Sequence, residues 1–292
     1  VVTADGPEAL AGEFPAPVRR TESHFAGQGG VRLFRRSWLP PEPRWAIALV
    51  HGYAEHSGRY EELGAWLARR GIAVHAYDHR GHGLSQGRRC HVSHFGELVE
   101  DLGRHVEQVR EQHPGLPLTV LGHSLGGLVV LTFLVTCQPR LASAVVSGPA
   151  LVVHMSPLRR RLAALMARIW PTLSVASGLD ASGISRDPEV VRRYLDDPLV
   201  ESTATASFGL EMVRAAETTA RQGAEVRVPL LMLHGEEDPL CSVEGSRRFF
   251  AEVTAGGSVL HTYPGLRHEI FNEPEHLQVF QDLLDWLQER AA

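Results

Sequence analysis

The sequence predicts an α/β protein, a mainly parallel sheet with helices on both faces, interrupted by a helical insert. Three observations predict it. Over residues 1–150, short apolar runs alternate with helical segments of 12 to 19 residues, the signature of βαβ units. From residue 151 to about 210 that rhythm stops, and Pro157, Pro171, Pro188 and Pro198 break the stretch into helical fragments. The alternation then returns over residues 211–292. The expected layout is one core in two parts, 1–150 and 211–292, with residues 151–210 inserted as a cap or lid.

Each element follows from local pattern. Residues 23–26 and 31–38 flank Gly27-Gln28-Gly29-Gly30 and read as a hairpin. After a proline-rich break at 40–43, residues 45–50 form an apolar strand ending in His51-Gly52. Residues 59–70 are helical by period, with Leu63, Trp66 and Leu67 inward and Gly71 as the stop. Residues 72–77 are a strand, 95–113 a helix closed by Pro114, and 118–121 a strand. Residues 125–137 make a helix closed by Pro139, and 142–147 the next strand. No strand is evident within 151–210, where 158–170 is the clearest helical piece. Beyond it come a helix to residue 222, a strand at 230–233, a helix at 243–253, a strand at 258–263 and a helix from Pro274.

Composition removes several function classes. All 29 basic residues are arginine, so Schiff-base, pyridoxal-phosphate and P-loop chemistries lack the lysine they use. Arginine-only basicity reflects a G+C-rich coding genome. With 34 acidic residues the net charge is −5, and no basic stripe offers itself to nucleic acid phosphates. The three cysteines, Cys90, Cys137 and Cys241, are far apart and odd in number, which points to a reducing, cytoplasmic compartment. No run of 18 apolar residues is present, and residues 1–20 lack the basic-then-apolar pattern of a secretory signal.

The chemistry is carried by Gly122-His123-Ser124-Leu125-Gly126, a G-x-S-x-G motif set just after a strand and opening a helix. That context puts Ser124 on a strained turn with its hydroxyl exposed and a helix N-terminus behind it. Two backbone amides must receive the charge that develops on an attacked carbonyl. Leu125, next after the serine, and Tyr53, in His51-Gly52-Tyr53 at the end of an earlier strand, are placed to supply them. The serine needs a base and the base a carboxylate. Asp238 and His268 each lie in a loop five residues past a strand, at the carboxyl ends where α/β sheets place their sites. Glu236 and Glu237 share the acidic loop but sit differently on it. His261 falls inside a strand and His276 inside the last helix.

These motifs bring a family into view. His51-Gly52-Tyr53-Ala54-Glu55-His56-Ser57-Gly58-Arg59-Tyr60 resembles the HGxxEHSxRY signature of monoacylglycerol lipases. Asp78-His79-Arg80-Gly81-His82-Gly83-Leu84-Ser85, the serine elbow, Asp238-Pro239-Leu240-Cys241 and His268 are similar to that family's later motifs. The resemblance runs from about residue 23 to the C-terminus, leaving out much of the insert. It implies an α/β-hydrolase fold acting on monoacylglycerols, lysophospholipids and related esters, with Ser124 as nucleophile, Asp238 as acid, His268 as base, and no cofactor.

By position it also implies a polar head-group subsite near Glu55, Arg59, His123 and the cap residue Tyr194. A structural ion pair holding the oxyanion loop is the competing reading for Glu55 and Arg59, and the two roles are compatible. Tyr53 stands where the family usually has a small residue, which preserves the amide but narrows the pocket.

The histidines at 75, 79, 82, 91 and 94 are dense, yet no H-E-x-x-H or C-x-x-C pattern accompanies them, so no metal is expected. Cys241 is expected near the site as a packed small residue. Leu158, Leu162, Leu165, Met166 and Ile169 share one helical face, with Arg159, Arg160 and Arg161 elsewhere on the turn. A packed lid is the leading reading of that helix, and transient contact with an anionic membrane the sharper one. The expected partner is a small lipid ester. Wider carboxylesterase, lysophospholipase, thioesterase or acyltransferase activity uses the same triad, and a non-catalytic ligand-binding pseudohydrolase is the alternative of another class. Acyl length, head group and oligomeric state are not legible.

Overall fold

The computed structural model describes residues 17–152 and 157–290, with backbone alone for 157–160 and 162–163. The chain opens with a hairpin of β1 (Arg19–Ala26) and β2 (Arg32–Leu39). It continues through β3 (Trp45–Val50), α1 (Glu61–Ala68), β4 (Ile72–Tyr77) and α2 (Gly96–Gln112). Then come β5 (Leu118–His123), α3 (Leu125–Cys137) and β6 (Ser143–Ser147). Next are α4 (Pro157–Ile169), β7 (Ser174–Ala176), α5 (Pro188–Asp196), β8 (Thr203–Thr205) and α6 (Ala206–Thr219). The last elements are β9 (Leu230–Gly235), α7 (Val243–Ala251), β10 (Val259–Tyr263) and α8 (His276–Gln288).

Eight strands make one sheet in the order β1-β2-β4-β3-β5-β6-β9-β10. From β4 to β10 every neighbouring pair is parallel, whereas β2 runs antiparallel to both its neighbours, β1 and β4. The central strands are buried on both faces, which is why they read as unbroken apolar runs. Alternate residues of β3 divide between the two cores. Ala46, Ala48 and Val50 join the residues of α2 and α3, whereas Trp45, Ile47 and Leu49 join those of α1 and α8.

Strand β4 lies on one side of β3 and β5 on the other, so the chain reverses its winding at β3. The crevice beyond the carboxyl ends of β3 and β5 is thus the topological switch point, where open α/β sheets bind ligands.

Three findings differ from the expectations. Strand β1 begins four residues early, because Arg19-Arg20-Thr21-Glu22 is a polar edge that pairs with β2 without an apolar alternation. A two-stranded antiparallel ribbon of β7 and β8 occupies the stretch where no strand was evident. Its strands are three residues long and β7 is exposed throughout, so they carry no periodic signal. Helix α6 begins at Ala206, inside the expected insert, and sends Phe208 and Ala216 into the main core.

On α4 and just beyond it, Leu165, Ile169 and Trp170 are 52%, 69% and 59% exposed. The side chains of Leu158, Arg159, Arg160 and Leu162 lie outside the described residues. No helix among the described residues is long and apolar enough to cross a membrane.

Candidate active site

Ser124 sits between the end of β5 and the start of α3 at φ 53°, ψ −115°, a conformation that costs a non-glycine residue strain. The flanking glycines make the turn feasible. A Cβ on Gly122 would come within 2.3 Å of the Gly126 carbonyl oxygen, and one on Gly126 within 2.2 Å of the Val50 oxygen. The serine amide donates to the Ser147 carbonyl at 2.9 Å, tying the turn to β6.

His268 and Asp238 come from the loops after β10 and β9. Nδ1 of His268 lies 2.7 Å from Oδ2 of Asp238. An ionised carboxylate only accepts, so Nδ1 carries the proton and Nε2 is left as the base. Asp238 is held by more than one imidazole. Its Oδ1 accepts from the Leu240 and Cys241 amides at 2.8 and 2.9 Å, and Nε2 of His234 lies 3.2 Å from Oδ2.

Burial works to raise the Asp238 pKa, but the charge on His268 and the donated hydrogen bonds hold it well below the usual carboxylate range. Burial likewise works to lower His268, yet Asp238, reinforced by Glu269 and Glu55, lifts it above the ordinary imidazole value.

The oxyanion loop after β3 passes directly over the serine, since a Cβ on Gly52 would lie 3.2 Å from Ser124 Cβ. Among the described residues, neither the Tyr53 amide nor the Leu125 amide meets an acceptor within the chain. The loop is braced from below by Glu55. Its Oε1 accepts from the Gly52 amide at 2.5 Å and the Tyr60 hydroxyl at 2.7 Å, and its Oε2 from Arg59 at 3.1 Å. Arg59 also grips Glu269 through both carboxylate oxygens and lies 4.7 Å over the Tyr194 ring. Burial and the neighbouring Glu269 push Glu55 up against the pull of Arg59, while Glu269, buried beside the same arginine, is held low.

One narrow pocket unites Ser124, His268, Tyr53, His123 and Tyr194, with Leu179, Ile184 and Leu240 as its apolar wall. The His123 ring packs at a tilt against His268 with centroids 4.7 Å apart, and burial takes its pKa down to about 3, so it is a neutral partner. Glu55 and Arg59 do not line this pocket. Arg59 faces a separate polar cleft with Arg193, Asp197 and Asn272, and Glu55 is wholly engaged in the bracket. The ion-pair reading is the one their contacts display.

His234 and Glu269 were not singled out from sequence. His234 is the last residue but one of β9, four before Asp238, a spacing that hints at its contact, but the partner of Glu269 is 210 residues away.

The rivals are engaged elsewhere. Glu236 bonds Arg247 and Thr262, His261 lies 3.7 Å from Asp282, and His276 bonds Glu62. Of the dense histidines, His79 and His82 pack with His51, their rings 5.9 Å apart, while His75 bonds Ser37 and His113, His91 bonds Thr205 and His94 lies 3.9 Å from Glu97. Cys241 is buried, and burial with nearby Asp238 pushes its thiol far above the usual range, so it stays protonated.

The sheet order and the strained serine after β5 define the class: this is an α/β-hydrolase. Residues 41–275 match the family described as serine aminopeptidase, S33. The chain is 39% identical over 272 residues to the monoacylglycerol lipase of Mycolicibacterium smegmatis, covering 92% of this chain and 97% of that one. It is 32% identical over 276 residues to the monoglyceride lipase of Homo sapiens, covering 92% and 91%. The crystal structure of Paleococcus ferrophilus monoacylglycerol lipase matches with a TM-score of 0.79 at 31% identity, over 94% of this chain and 100% of that one. The chain belongs to the monoacylglycerol lipase family within that wider group.

Proposed function

We propose that the chain hydrolyses carboxylic esters of lipids, foremost monoacylglycerols, through an acyl-enzyme on Ser124. The observation that carries this is the shared pocket: a strained serine opens into the same space as His268, whose Nδ1 is committed to Asp238 at 2.7 Å. Nε2 of His268 takes the Ser124 proton as Oγ attacks the ester carbonyl. The Tyr53 and Leu125 amides receive the oxyanion. His268 then returns the proton to the departing alcohol, and water, activated by the same base, cleaves the acyl-enzyme.

The apolar wall of Leu179, Ile184 and Leu240 suits an acyl chain. His123 and Tyr194 are the polar groups placed to meet the alcohol, while Glu55 and Arg59 set the loop geometry behind them. Residues 151–210 serve as the cap that shapes the acyl site, and the apolar residues exposed on α4 make transient contact with a lipid surface to collect substrate. The free cysteines agree with a reducing, cytoplasmic setting.

The test is a hydrolysis panel of monoacylglycerols from C4 to C18, beside di- and triacylglycerols, a lysophospholipid, an acyl thioester and simple alkyl esters, run with wild type and Ser124→Ala. Monoacylglycerols are expected to be cleaved best, and Ser124→Ala to lose both turnover and fluorophosphonate labelling with its fold intact. Retained turnover in that variant refutes the nucleophile. Equal rates on alkyl esters and monoacylglycerols move the reading to a broad carboxylesterase.

A further inference from the structure

Tyr53 brings an aromatic ring as well as an amide to the oxyanion loop. On one side of it, the Gly52 amide is pinned by Glu55 from inside the core. On the other, Ala54 is held at φ 66°, a left-handed conformation that a non-glycine residue keeps only where its surroundings impose it. The imposing contact comes from the insert: the Glu201 amide donates to the Ala54 carbonyl at 2.8 Å.

The same short stretch reaches the loop once more, through Phe208, and bonds the neighbouring segment at Cys90. The Thr205 amide and hydroxyl both donate to the Cys90 carbonyl at 3.1 Å, and Phe208 lies against the Tyr53 ring with centroids 5.5 Å apart. His82 packs against both rings, at 6.3 Å from Tyr53 and 5.9 Å from Phe208. The Tyr53 hydroxyl is buried beside Ser177 and Cys90, and burial pushes the phenol above its usual range, so it remains protonated. The ring is therefore packed against the part of the chain that runs into α6, while the amide of the same residue meets no acceptor among the described residues.

We propose that Tyr53 is a positioning residue whose side chain acts as a strut, so that the segment running from Glu201 to Phe208 sets the direction of the Tyr53 amide in the oxyanion hole. This rests on the esterase reading above. The bulk at position 53 replaces stiffness that a small residue would leave to the backbone alone. Misdirecting one oxyanion donor weakens stabilisation of the tetrahedral state without loosening the ground-state ester, so the loss belongs in kcat.

The experiment measures kcat and KM for a short ester, p-nitrophenyl butyrate, together with inhibition by butylboronic acid, whose tetrahedral adduct with Ser124 places an oxygen in the oxyanion hole. Tyr53→Ala is expected to lower kcat about ten- to a hundredfold, as misplacement of a catalytic group does. KM should stay within about twofold, and boronate affinity should fall by the same factor as kcat. Tyr53→Phe, which keeps the ring, should recover activity to within about threefold of wild type, and Phe208→Ala, which touches no reacting atom, should repeat the kcat loss.

Unchanged kcat and boronate affinity in Tyr53→Ala overturn the strut. So does a change confined to KM or to acyl-length preference, which makes Tyr53 a pocket wall. If Tyr53→Ala does not fold, Tyr53→Leu and Phe208→Ala decide by the same two readouts. Turnover retained by Ser124→Ala fells the esterase reading itself, whereas a dead Ser124→Ala beside a fully active Tyr53→Ala fells the strut alone.

Discussion

At Asp238 two imidazoles share one carboxylate oxygen, His268 at 2.7 Å and His234 at 3.2 Å. The first bond fixes a base, and the second, with two backbone amides, fixes the carboxylate that fixes it. Asp238→Asn replaces an acceptor-only group by one that can also donate, which favours the wrong His268 tautomer. Turnover should fall on the order of 10⁴-fold with the fold intact, as steady-state kinetics would show. A mild effect would transfer the role to Glu236 or Glu237.

The pH profile has a definite sign. His268 must be neutral to act, and its pKa is lifted above the ordinary imidazole value, so kcat/KM should rise with pH through a midpoint above about 6.5. In Asp238→Asn the lifting charge is gone and burial is less opposed, so the midpoint of the residual activity should move down. A titration of rate on a soluble short ester checks both.

Ser124, Asp238 and His268 were legible because each stands in a short motif at the end of a strand. The bracket of Glu55, Arg59 and Glu269 was only half legible. Its first two members share one motif, but the third joins them through folding alone.

Among the elements, the turn from β5 into α3 places the tightest demands on the chain. Gly126 lets α3 press against the end of β3, with backbone oxygens of Val50 and His51 where a side chain would begin. Gly126→Ala should cost about 3 kcal/mol in urea unfolding, since backbone cannot yield as a side chain does. It should also displace the elbow and lower turnover. Gly209 provides the contrast, because among the described residues a Cβ there meets nothing within 4 Å and its helix gains from the loss of backbone freedom. Gly209→Ala should raise stability by roughly 0.5–1 kcal/mol in the same measurement.

The central strands and the helices between them were readable from apolar period, and their ends shifted by only a few residues. Strands β7 and β8 were not readable. Strands of three residues have no periodicity to display, and their pairing depends on distant segments meeting, as Ser174 does Thr205.

At the scale of the whole molecule, most of the exposed large apolar side chains among the described residues fall within the proposed cap, with Leu84, Val259 and Leu277 outside it. Leu165, Ile169 and Trp170 lie along and just past α4, on a helix that also carries Arg161 and Arg168 in exposed positions. Wild type should therefore sediment with vesicles of mixed zwitterionic and anionic phospholipid. A triple replacement by serine at 165, 169 and 170 should abolish that binding while leaving hydrolysis of a soluble short ester unchanged. Binding that survives the triple replacement, and survives neutral residues at 159–161, would remove membrane contact from the proposal. The prolines of residues 151–210 suggest an insert, but what such a segment would cover is not legible, because that depends on where two distant edges of the core lie.

Both ends of the proposed insert are tied to the core. Gly148 donates to the Leu233 carbonyl on leaving β6, and Thr205 donates to the Cys90 carbonyl before α6 begins. Neither attachment interrupts a rung of the sheet. Closing a loop of twice or half the length between such fixed posts changes the entropic cost by only about 0.6 kcal/mol. The catalytic frame is in this sense indifferent to the size of what is threaded through it. Substrate range can thus be rewritten by exchanging one contiguous cassette while the hydrolytic apparatus is inherited unaltered, provided the newcomer restores the hold on Ala54.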